Sequence, residues 1–537
     1  MFRSAPFVVG SLFVASSLVA QTQSSGGGLE KAAPVVRAIE VNNRDVFGPE
    51  ETTTFVARAL NGLHFTTRPW VIKRELLLRP GQPYDSALVA ESERGLRALR
   101  VFQSARIDSA TTDSGLVLRV RTQDAFTTLP QWGGTLANGS FSNYWIGLTE
   151  LNLLGSATQV SLRYSHDTDR NAVTGSFNRT RLVDGRIGVS GFYSDLSDGR
   201  AAYGVVWLPY LSLASPASWY LSGEERQGRI LQFFEGDGDL TAEYERRYWM
   251  FRAGAGWALR ASTAGYTRFG IETQLRRDDY ALRDRADTLG RSVTGAVGAY
   301  LQWRIARFQT VAGLRGLSRV EDVDLSTTIH LGLAATPRAF GYRDDGVVPT
   351  LEVRTGLGWP SGFARLNAST QGRLIKGAAV DSGSVHLGAT VVMKPSSRQL
   401  IIAHAARGWL KNPALGSEFD MGVNHGPRGF DPHAFSGDNA FLLTAEYRYR
   451  LFDRLLGLAG AGVAGFVDYG GAWYRGSPRR TGTAVGLGAR FGINAASDVS
   501  AVRIDVSYTR GGPFQKGSVN WTLGKGFTFD LNGKLAR

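Results

Sequence analysis

The sequence contains no cysteine, few prolines and few charged residues for its length. Among 537 residues there is no Cys, there are only 18 Pro, and charged residues make up 20%, below the ~25% of ordinary soluble proteins. The absence of cysteine excludes disulfide scaffolds, zinc–thiolate sites and a lipoprotein whose lipid is carried by cysteine. After residue 20 the chain also lacks any run of 18 or more apolar residues, so no transmembrane helix is predicted.

Glycine and aromatic residues are instead abundant. The chain has 66 Gly, 28 Phe, 18 Tyr and 12 Trp, a composition that favours many short strands over helices. The formal net charge is +14, and the basic residues are scattered along the whole chain. Because no recognised binding motif accompanies this charge, we expect no nucleic-acid partner.

The amino terminus predicts export. Arg3 precedes an apolar stretch from Phe7 to Ala20, which polar residues follow as in a cleaved signal peptide. The stretch is short for an anchor that must span ~30 Å of hydrocarbon. We therefore assign 1–20 to a signal peptide and 21–34 to a linker. The exported chain is then either soluble or crosses a membrane with strands, which only a closed barrel allows.

Residues 35–125 mix the periodicities of helices and strands, which predicts a small soluble α+β domain. Pro80-Gly81 breaks the chain between two predicted helices, and Asp85 is a predicted helix cap. The predicted elements are, in chain order, a strand, two helices and two strands, at 36–46, 66–78, 86–100, 104–109 and 115–122.

From residue 129 to 537 the pattern becomes one of alternating strands between Gly, Asp, Asn and Ser clusters. Around 444–451, Glu446 and Arg448 share one face while Tyr447 and Tyr449 share the other. In a transmembrane antiparallel β-barrel the apolar face meets lipid and the charged face lines the lumen. At ~25 residues per strand and connection, this region holds about 16 strands. A pair of soluble β-domains is the alternative, since alternation alone does not separate the two.

The segment 77–85, Leu-Leu-Arg-Pro-Gly-Gln-Pro-Tyr-Asp, resembles the middle of a POTRA domain, a small periplasmic α+β module. A helix ending at 96–102 and a strand follow it, as they do in such domains. The resemblance covers 35–125. It implies a periplasmic domain that captures clients by adding their strands to its sheet edge. Any other small exported α+β domain is the alternative.

The carboxyl-terminal part resembles the barrel of the outer-membrane assembly and translocation family, the BamA/TamA-type or bacterial surface antigen family, which includes the two-partner secretion transporters. Gly-Pro-Arg-Gly-Phe at 426–430 resembles its loop motif, and Phe-Val-Asp-Tyr-Gly at 466–470 resembles its partner strand. Asn-Leu-Leu-Gly at 152–155 resembles the turn that joins the first two barrel strands. The resemblance implies a long loop folded into the lumen. The implied loop-anchor and partner residues are Arg428, Gly429, Phe430, Glu446, Phe466, Asp468 and Gly470.

Physical chemistry agrees with this implied arrangement. Asp468 would be costly against lipid, so the face it shares with Phe466 and Gly470 is expected to point inward. The planar guanidinium of Arg428 suits a carboxylate in a way that lysine cannot reproduce. Gly470 is expected to leave space for the loop backbone. The alternative is a surface turn beside an ordinary lumen carboxylate.

The carboxyl terminus resembles a barrel assembly signal. In Thr-Leu-Gly-Lys-Gly-Phe-Thr-Phe at 522–529, the matching positions are Gly524, Phe527 and Phe529. Alternation places Trp521, Leu523, Phe527 and Phe529 on one face, so we expect all four to face lipid. Such signals usually end the chain, whereas this one continues to residue 537.

No motif points to an enzyme. The seven histidines show no metal-ligand spacing, and the sequence has no Gly-x-Ser-x-Gly elbow or phosphate-binding loop. His425 and His433 flank the loop motif, and we interpret this proximity as incidental. We predict no catalytic residue, no cofactor and no metal.

The resemblance implies an outer-membrane protein of Gram-negative type that assists insertion or translocation of polypeptides. Its partners would be unfolded outer-membrane or secreted polypeptides, the lipid bilayer and, as a further possibility, periplasmic accessory proteins. Clients would pair at a weak seam between the first strand, near 145–151, and the last, near 519–529. The alternatives are a dedicated two-partner-type secretion pore, a passive porin and an outer-membrane enzyme.

Overall fold

The structure, a computed structural model, describes residues 34–537 apart from short gaps. The predicted signal peptide and all but the last residue of the predicted linker lie outside the described residues. No helix in the described part of the chain is long and apolar enough to cross a membrane. The gaps are 51, 53–54, 114, 138–139, 184, 234–239, 283–287, 318, 376, 378–379, 423–425, 456–458, 494, 497–499, 513–516, 531–534 and 536–537.

The first six elements form a three-stranded sheet with helices. The strand order is β1-β3-β2, with β1 parallel and β2 antiparallel to β3. The elements are β1 Val36–Arg44, α1 Phe55–Gly62, α2 Pro69–Glu75, α3 Ser86–Ala98, β2 Phe102–Thr112 and β3 Gly115–Asp124.

The local sequence explains the best predicted of these helices. The Asp85 side chain accepts hydrogen bonds from the backbone N–H groups of Ala87 and Leu88, which caps α3 as expected. Val89 and Leu96 of α3 are buried in the core of the sheet. Helix α1 was not predicted from the sequence, although its Ala57 is buried in a second apolar cluster with Val46 and Phe47. The domain boundaries 35–125 and 129–537 stay predictions.

Twenty-four strands follow, and in the described residues twenty of them close an antiparallel barrel. Strands β14–β15 and β21–β22 form two separate hairpins, and single 3₁₀ turns occur at Leu153–Gly155 and Arg338–Phe340. The strands are β4 Thr128–Ala137, β5 Ser140–Glu150, β6 Gln159–His166, β7 Asn171–Val183, β8 Ile187–Leu196, β9 Gly199–Leu208, β10 Ala217–Phe233, β11 Leu240–Ser262, β12 Gly265–Leu282, β13 Thr288–Ile305, β14 Phe308–Ala312, β15 Val320–Asp324, β16 Thr327–Thr336, β17 Gly346–Trp359, β18 Gly362–Ile375, β19 Asp381–Met393, β20 Gln399–Lys411, β21 Phe419–Met421, β22 Phe435–Gly437, β23 Asn439–Leu455, β24 Ala459–Trp473, β25 Gly482–Ile493, β26 Val502–Gly511 and β27 Ser518–Lys525.

The predicted closed barrel is confirmed, and so is the alternation that predicted it. In β23, Glu446 is 5% exposed and faces the lumen, while Tyr447 is 42% exposed on the outer wall. The same alternation holds in β26, where Asp505 is buried and Tyr508 is exposed. The outer wall is therefore apolar and the lumen carries the charges.

The strand count and the position of the first strand differ from the predictions. In the described residues the barrel has 20 strands rather than about 16, because many connections, such as that from β17 to β18, are only two residues long. The first barrel strand is β4, so residues 145–151 lie mainly in the second strand, β5. The turn at 152–155 consequently joins the second and third strands. Its Asn152 side chain donates to the Phe65 carbonyl of the amino-terminal unit at 3.1 Å.

The expectation that Phe527 and Phe529 face lipid was wrong. Strand β27 ends at Lys525, and Gly526, with φ of 70°, turns the chain into the barrel. Both rings then pack against an inward-facing apolar cluster that includes Phe363 and Ile402. Alternation failed as a guide here because it holds only while the chain remains in a strand.

Candidate functional site in the barrel lumen

A long connection between β20 and β23, residues 412–438, carries the loop motif into the lumen. The short hairpin β21–β22 stiffens it, and Phe419, Met421 and Phe435 of this hairpin are fully buried. Phe430 packs edge-on against Phe435, with ring centroids 5.1 Å apart. Apolar contacts therefore hold both sides of the motif against the barrel wall.

Arg428 and Asp468 form a fully buried bidentate pair. Nε of Arg428 donates to one carboxylate oxygen of Asp468 at 2.6 Å, and Nη2 donates to the other at 2.8 Å. The backbone N–H of Arg428 adds a third bond to Asp468 at 3.1 Å. The exposed fraction is 1% for Arg428 and 0% for Asp468. This fork-to-carboxylate geometry is the strongest form of charge-assisted hydrogen bonding.

The pair belongs to a larger buried charge cluster, which joins the loop to four strands, β23 to β26. Nη1 of Arg428 donates to Glu446 of β23 at 2.7 Å. Glu446 also accepts from Arg448 at 2.5 Å and from Arg490 at 3.1 Å. Asp505 of β26 accepts from Arg490 at 2.6 Å and from Arg503 at 2.9 Å. The lumen cluster is thus Arg428, Glu446, Arg448, Asp468, Arg490, Arg503 and Asp505.

The electrostatics of this cluster depend on pairing rather than on total charge. Four arginines and three carboxylates give a formal net charge of +1 in a nearly water-free space. Buried ions are tolerated only with good geometry and satisfied hydrogen bonds. Glu446 and Asp505 each have two or more arginine partners, whereas Asp468 receives its ion-pairing hydrogen bonds from Arg428 alone among the described residues. The guanidinium of Arg428 also lies 3.4 Å from the centroid of the Phe466 ring, a close cation–π contact.

Gly429 makes the tight approach of the loop possible. Its φ of 79° is unfavourable for other residues, and a Cβ there would collide with Ser507 and Thr509 of β26. Its carbonyl accepts a hydrogen bond from Asn520 of β27 at 2.7 Å. Gly429 therefore connects the loop to the last two strands of the barrel.

Replacing Gly429 by alanine should lower the midpoint of thermal unfolding, because the strained φ costs on the order of 1–3 kcal/mol and the new methyl group displaces the loop. Gly476→Ala is the matched control. Gly476 has a φ of 88° in another loop, but nothing lies within 4 Å of the position of its Cβ. Equal losses of thermal stability in the two variants would contradict a specific fit of Gly429 against β26.

Gly470 and Gly524, two other glycines of the predicted motifs, both lie where a Cβ atom would contact a neighbouring strand or side chain. The expectation that Gly470 makes room for the loop was wrong, since a Cβ there would meet Phe441 and Leu442 of the adjacent β23. Gly524 faces the lumen, and a Cβ at this position would lie 2.9 Å from the guanidinium of Arg503. Gly524 thus gives Arg503 the space that it needs beside Asp505.

Sequence reasoning brought together Arg428, Phe430, Glu446, Phe466 and Asp468, and the structure places these residues in contact with or close to one another. It missed Arg490, Arg503 and Asp505. The available signal was their position, because all three are charged residues at inward-facing positions of strands near the carboxyl terminus. The sequence does not reveal which strand carries the partner of a given charge.

The lumen is also occupied from the end that bears the amino-terminal unit. Hairpin β14–β15 lies there, and its Val311 and Val323 belong to the same buried cluster as the inward-facing Phe363 and Ile402. The rings of Phe527 and Phe529 pack against this cluster. The Leu314 carbonyl, which follows β14, accepts a hydrogen bond from Arg448 at 3.3 Å. The hairpin, the carboxyl-terminal segment and the inserted loop therefore meet at one charge cluster.

His433 joins the inserted loop to the rim of the barrel. Its ring nitrogens lie 2.7 Å from Asp420 and 3.1 Å from Asp169, and its ring stacks on Phe233. Burial alone would lower the pKa of His433, but the two carboxylates outweigh it and raise the pKa to about 9. The proximity of His433 to the motif is therefore structural rather than incidental. His425 lies outside the described residues.

This contact predicts a pH-dependent attachment of the loop. The pKa of His433 in the folded protein is raised to about 9, above the ~6.5 of an unfolded chain. The stabilisation is fully present below about pH 6.5 and is lost as the pH rises through about 9. Protection of the loop amides from hydrogen exchange, measured relative to their base-catalysed intrinsic rates, should accordingly fall over this interval, and Asp420→Asn should move the change to lower pH. An identical pH profile in His433→Gln would contradict the assignment.

Comparisons with known proteins give structural likenesses only. No family model matches the chain, and no curated protein matches it in sequence. BamA from Haemophilus ducreyi lacking POTRA domains 1–3 is similar with a TM-score of 0.40 and 12% identity, over 92% of this chain and 84% of that one. CdiB from Acinetobacter baumannii has a TM-score of 0.46 and 14% identity, over 92% and 74%. CdiB from Escherichia coli has a TM-score of 0.43 and 13% identity, over 95% and 94%.

At 12–14% identity these likenesses concern the fold alone. In its described residues this chain is a mainly β protein, a closed 20-stranded antiparallel barrel that follows a small α+β unit.

Proposed function

We propose that the chain spans the outer membrane as a β-barrel and assists insertion or translocation of other polypeptides there. Its apolar outer wall suits lipid, and its charges lie in the lumen, as in transmembrane barrels. The proposal assigns residues 35–125 to a POTRA-like periplasmic domain and needs no catalytic group or cofactor.

The observation that carries the proposal is the short seam where the barrel closes. Strands β27 and β4 pair at three positions in the described residues, Trp521–Leu136, Thr522–Thr135 and Leu523–Gly134. By contrast, β26 and β27 pair at eight positions, and β4 and β5 pair at ten. Backbone groups without a strand partner are a template for an incoming strand. A client strand could therefore add to β4 or β27 at a small cost in broken pairs.

Contacts of the amino-terminal unit support a role in delivering clients to this seam. The unit lies at the barrel end where β4 begins and β27 ends. Glu75 of α2 forms an ion pair with Arg181 at 2.8 Å. Arg97 of α3 forms a bidentate pair with Asp322 of the lumen hairpin, at 2.6 and 2.9 Å. A strand bound at the sheet edge of the unit would thus be held close to the barrel termini.

The contents of the lumen favour insertion at the seam over the alternatives. Passage through the lumen would require displacement of the inserted loop, hairpin β14–β15 and the carboxyl-terminal segment, all of which are packed into buried clusters. A passive porin has no use for the amino-terminal unit. By contrast, the seam residues of β27, Trp521, Thr522 and Leu523, belong to none of the buried apolar clusters of the described residues.

Conditional depletion followed by outer-membrane proteomics tests the proposal. Loss of many barrel proteins is the expected result for an insertase. Loss of a single secreted protein would instead identify a dedicated secretion pore. No change in protein content would overturn the proposal and favour a porin.

A further inference from the structure

A groove of about 800 Å³ crosses the outer wall of the barrel, from β17 to β24. Small side chains form its floor near the middle of the strands, at Ala389 and Ala405. Taller apolar side chains such as Leu366 and Leu443 form its sides and are exposed on the outer wall. The wall of a β-barrel is otherwise convex, so this groove is a place where a linear apolar chain could lie against the protein.

Two arginines lie at one end of the groove. This is the end of β20 and β24 farther from the amino-terminal unit, where Trp473 ends β24 and Arg479 follows in the next loop. The guanidinium of Arg407 lies 4.9 Å from the centroid of the Trp473 ring, and that of Arg479 lies 5.1 Å from it. Arg407 also lies 4.6 Å from Trp409. The two cations are thus held beside one aromatic side chain.

Neither of these cations has an anionic partner among the described residues. Arg407 donates only to neutral oxygens, the carbonyl of Ala440 at 3.2 Å and the side chain of Asn439 at 3.3 Å. Two neighbouring like charges repel one another, so an anion between them would be stabilised by both. Guanidinium groups are well suited to phosphate oxygens, which they can bind in a bidentate manner. The end of the groove therefore has the chemistry of a phosphate site.

We propose that the groove binds an acyl chain of a phosphate-bearing lipid of the outer leaflet, with the phosphate between Arg407 and Arg479. The apolar part of the groove lies on the outer wall from β17 to β23, which faces the acyl chains in the proposed membrane location. Arg407 lies four residues from the end of β20, near the interface, where an outward-facing arginine costs little. A soluble anion would leave the apolar groove unfilled. The inference rests on the proposed membrane location of the barrel and not on its action on polypeptides.

The test uses the full chain in nanodiscs of neutral phosphatidylcholine that contain either lipid A with its phosphates or the dephosphorylated form. Native mass spectrometry of the released protein measures the lipid that stays bound. The wild type should retain the phosphorylated lipid in preference. Arg407→Gln combined with Arg479→Gln should weaken its retention by about tenfold, which corresponds to about 1.4 kcal/mol.

Two further variants separate the phosphate site from the groove. Lys411→Gln removes an exposed charge from the end of the same strand and should retain the lipid as the wild type does. Ala405→Phe fills the floor of the groove and should reduce retention of both lipids while leaving the arginines in place. If the double variant does not fold, Arg479→Gln alone replaces it. Arg479 lies in an exposed loop, so this single substitution should not prevent folding and should still weaken retention of the phosphorylated lipid.

Equal retention of the two lipids by the wild type, or equal loss in Lys411→Gln and in the arginine variants, would overturn the proposal. Displacement of the lipid by millimolar inorganic phosphate alone would also overturn it, since the groove would then contribute nothing. Failure of the protein to insert into nanodiscs would instead contradict the proposed membrane location.

Discussion

Replacing Arg428 by alanine should abolish most of the proposed insertion activity while the barrel still folds. The strands keep their hydrogen-bond ladders, but Asp468 loses the bidentate partner that compensates its buried charge. Breaking a buried ion pair by removing one partner costs about 3–5 kcal/mol. The loop should therefore detach from β24, and the positions of Gly429 and Phe430 against the last strands should be lost.

The measurement compares outer-membrane levels of client barrels with the amount of folded protein, read from gel migration before and after boiling. Arg475→Ala is the matched control, because Arg475 is an exposed arginine in the neighbouring loop between β24 and β25. The anchoring role would be contradicted by equal loss of activity in the two variants. Unchanged migration of the wild type on boiling would count against a barrel in the membrane.

A double variant separates charge compensation from anchoring. Arg428→Ala with Asp468→Ala removes the uncompensated carboxylate, so part of the lost thermal stability should return relative to Arg428→Ala alone. The loop remains unanchored in both variants. Insertion activity should therefore stay low even where stability recovers.

The sequence predicted the parts of the fold that depend on local patterns. Alternation in β23 and β26 gave the inward and outward faces correctly, and Asp85 marked the start of α3. The number of strands could not be predicted from the sequence, because a two-residue connection such as that between β17 and β18 is too short to show as a separate loop. The sequence also could not show that the chain leaves the wall at Gly526 and returns to the lumen.

In the candidate site, too, residues close in sequence were predicted, whereas residues brought together only by strand pairing were not. Arg428 and Asp468 were recognised through motifs that keep their residues close in sequence. Arg490 and Asp505 were missed because their contacts with Glu446 and with each other depend on the register of three strands. Register sets which inward-facing charges meet, and a shift of one residue would turn every one of them towards the outer wall.

A disulfide across the seam should stop insertion activity if clients enter between β27 and β4. Thr135 and Thr522 lie opposite each other in the short ladder, and directly opposed antiparallel residues have Cα atoms ~4.5–5.5 Å apart, within the range of a disulfide. The chain has no cysteine, so Thr135→Cys with Thr522→Cys introduces the only thiols. Oxidation should reduce client insertion to the level of depleted cells, and a reductant should restore it.

The control pair lies one strand away, where the ladder is complete. Tyr508 and Val519 are opposed in the eight-position pairing of β26 and β27, so Tyr508→Cys with Val519→Cys crosslinks strands that the proposed mechanism never separates. This pair should leave client insertion unchanged when it is oxidised. The comparison also distinguishes the two routes across the barrel, because a seam disulfide leaves the lumen as it was. Full activity in the oxidised seam variant would therefore exclude lateral insertion and leave passage through the lumen, with displacement of the loop that Arg428 holds.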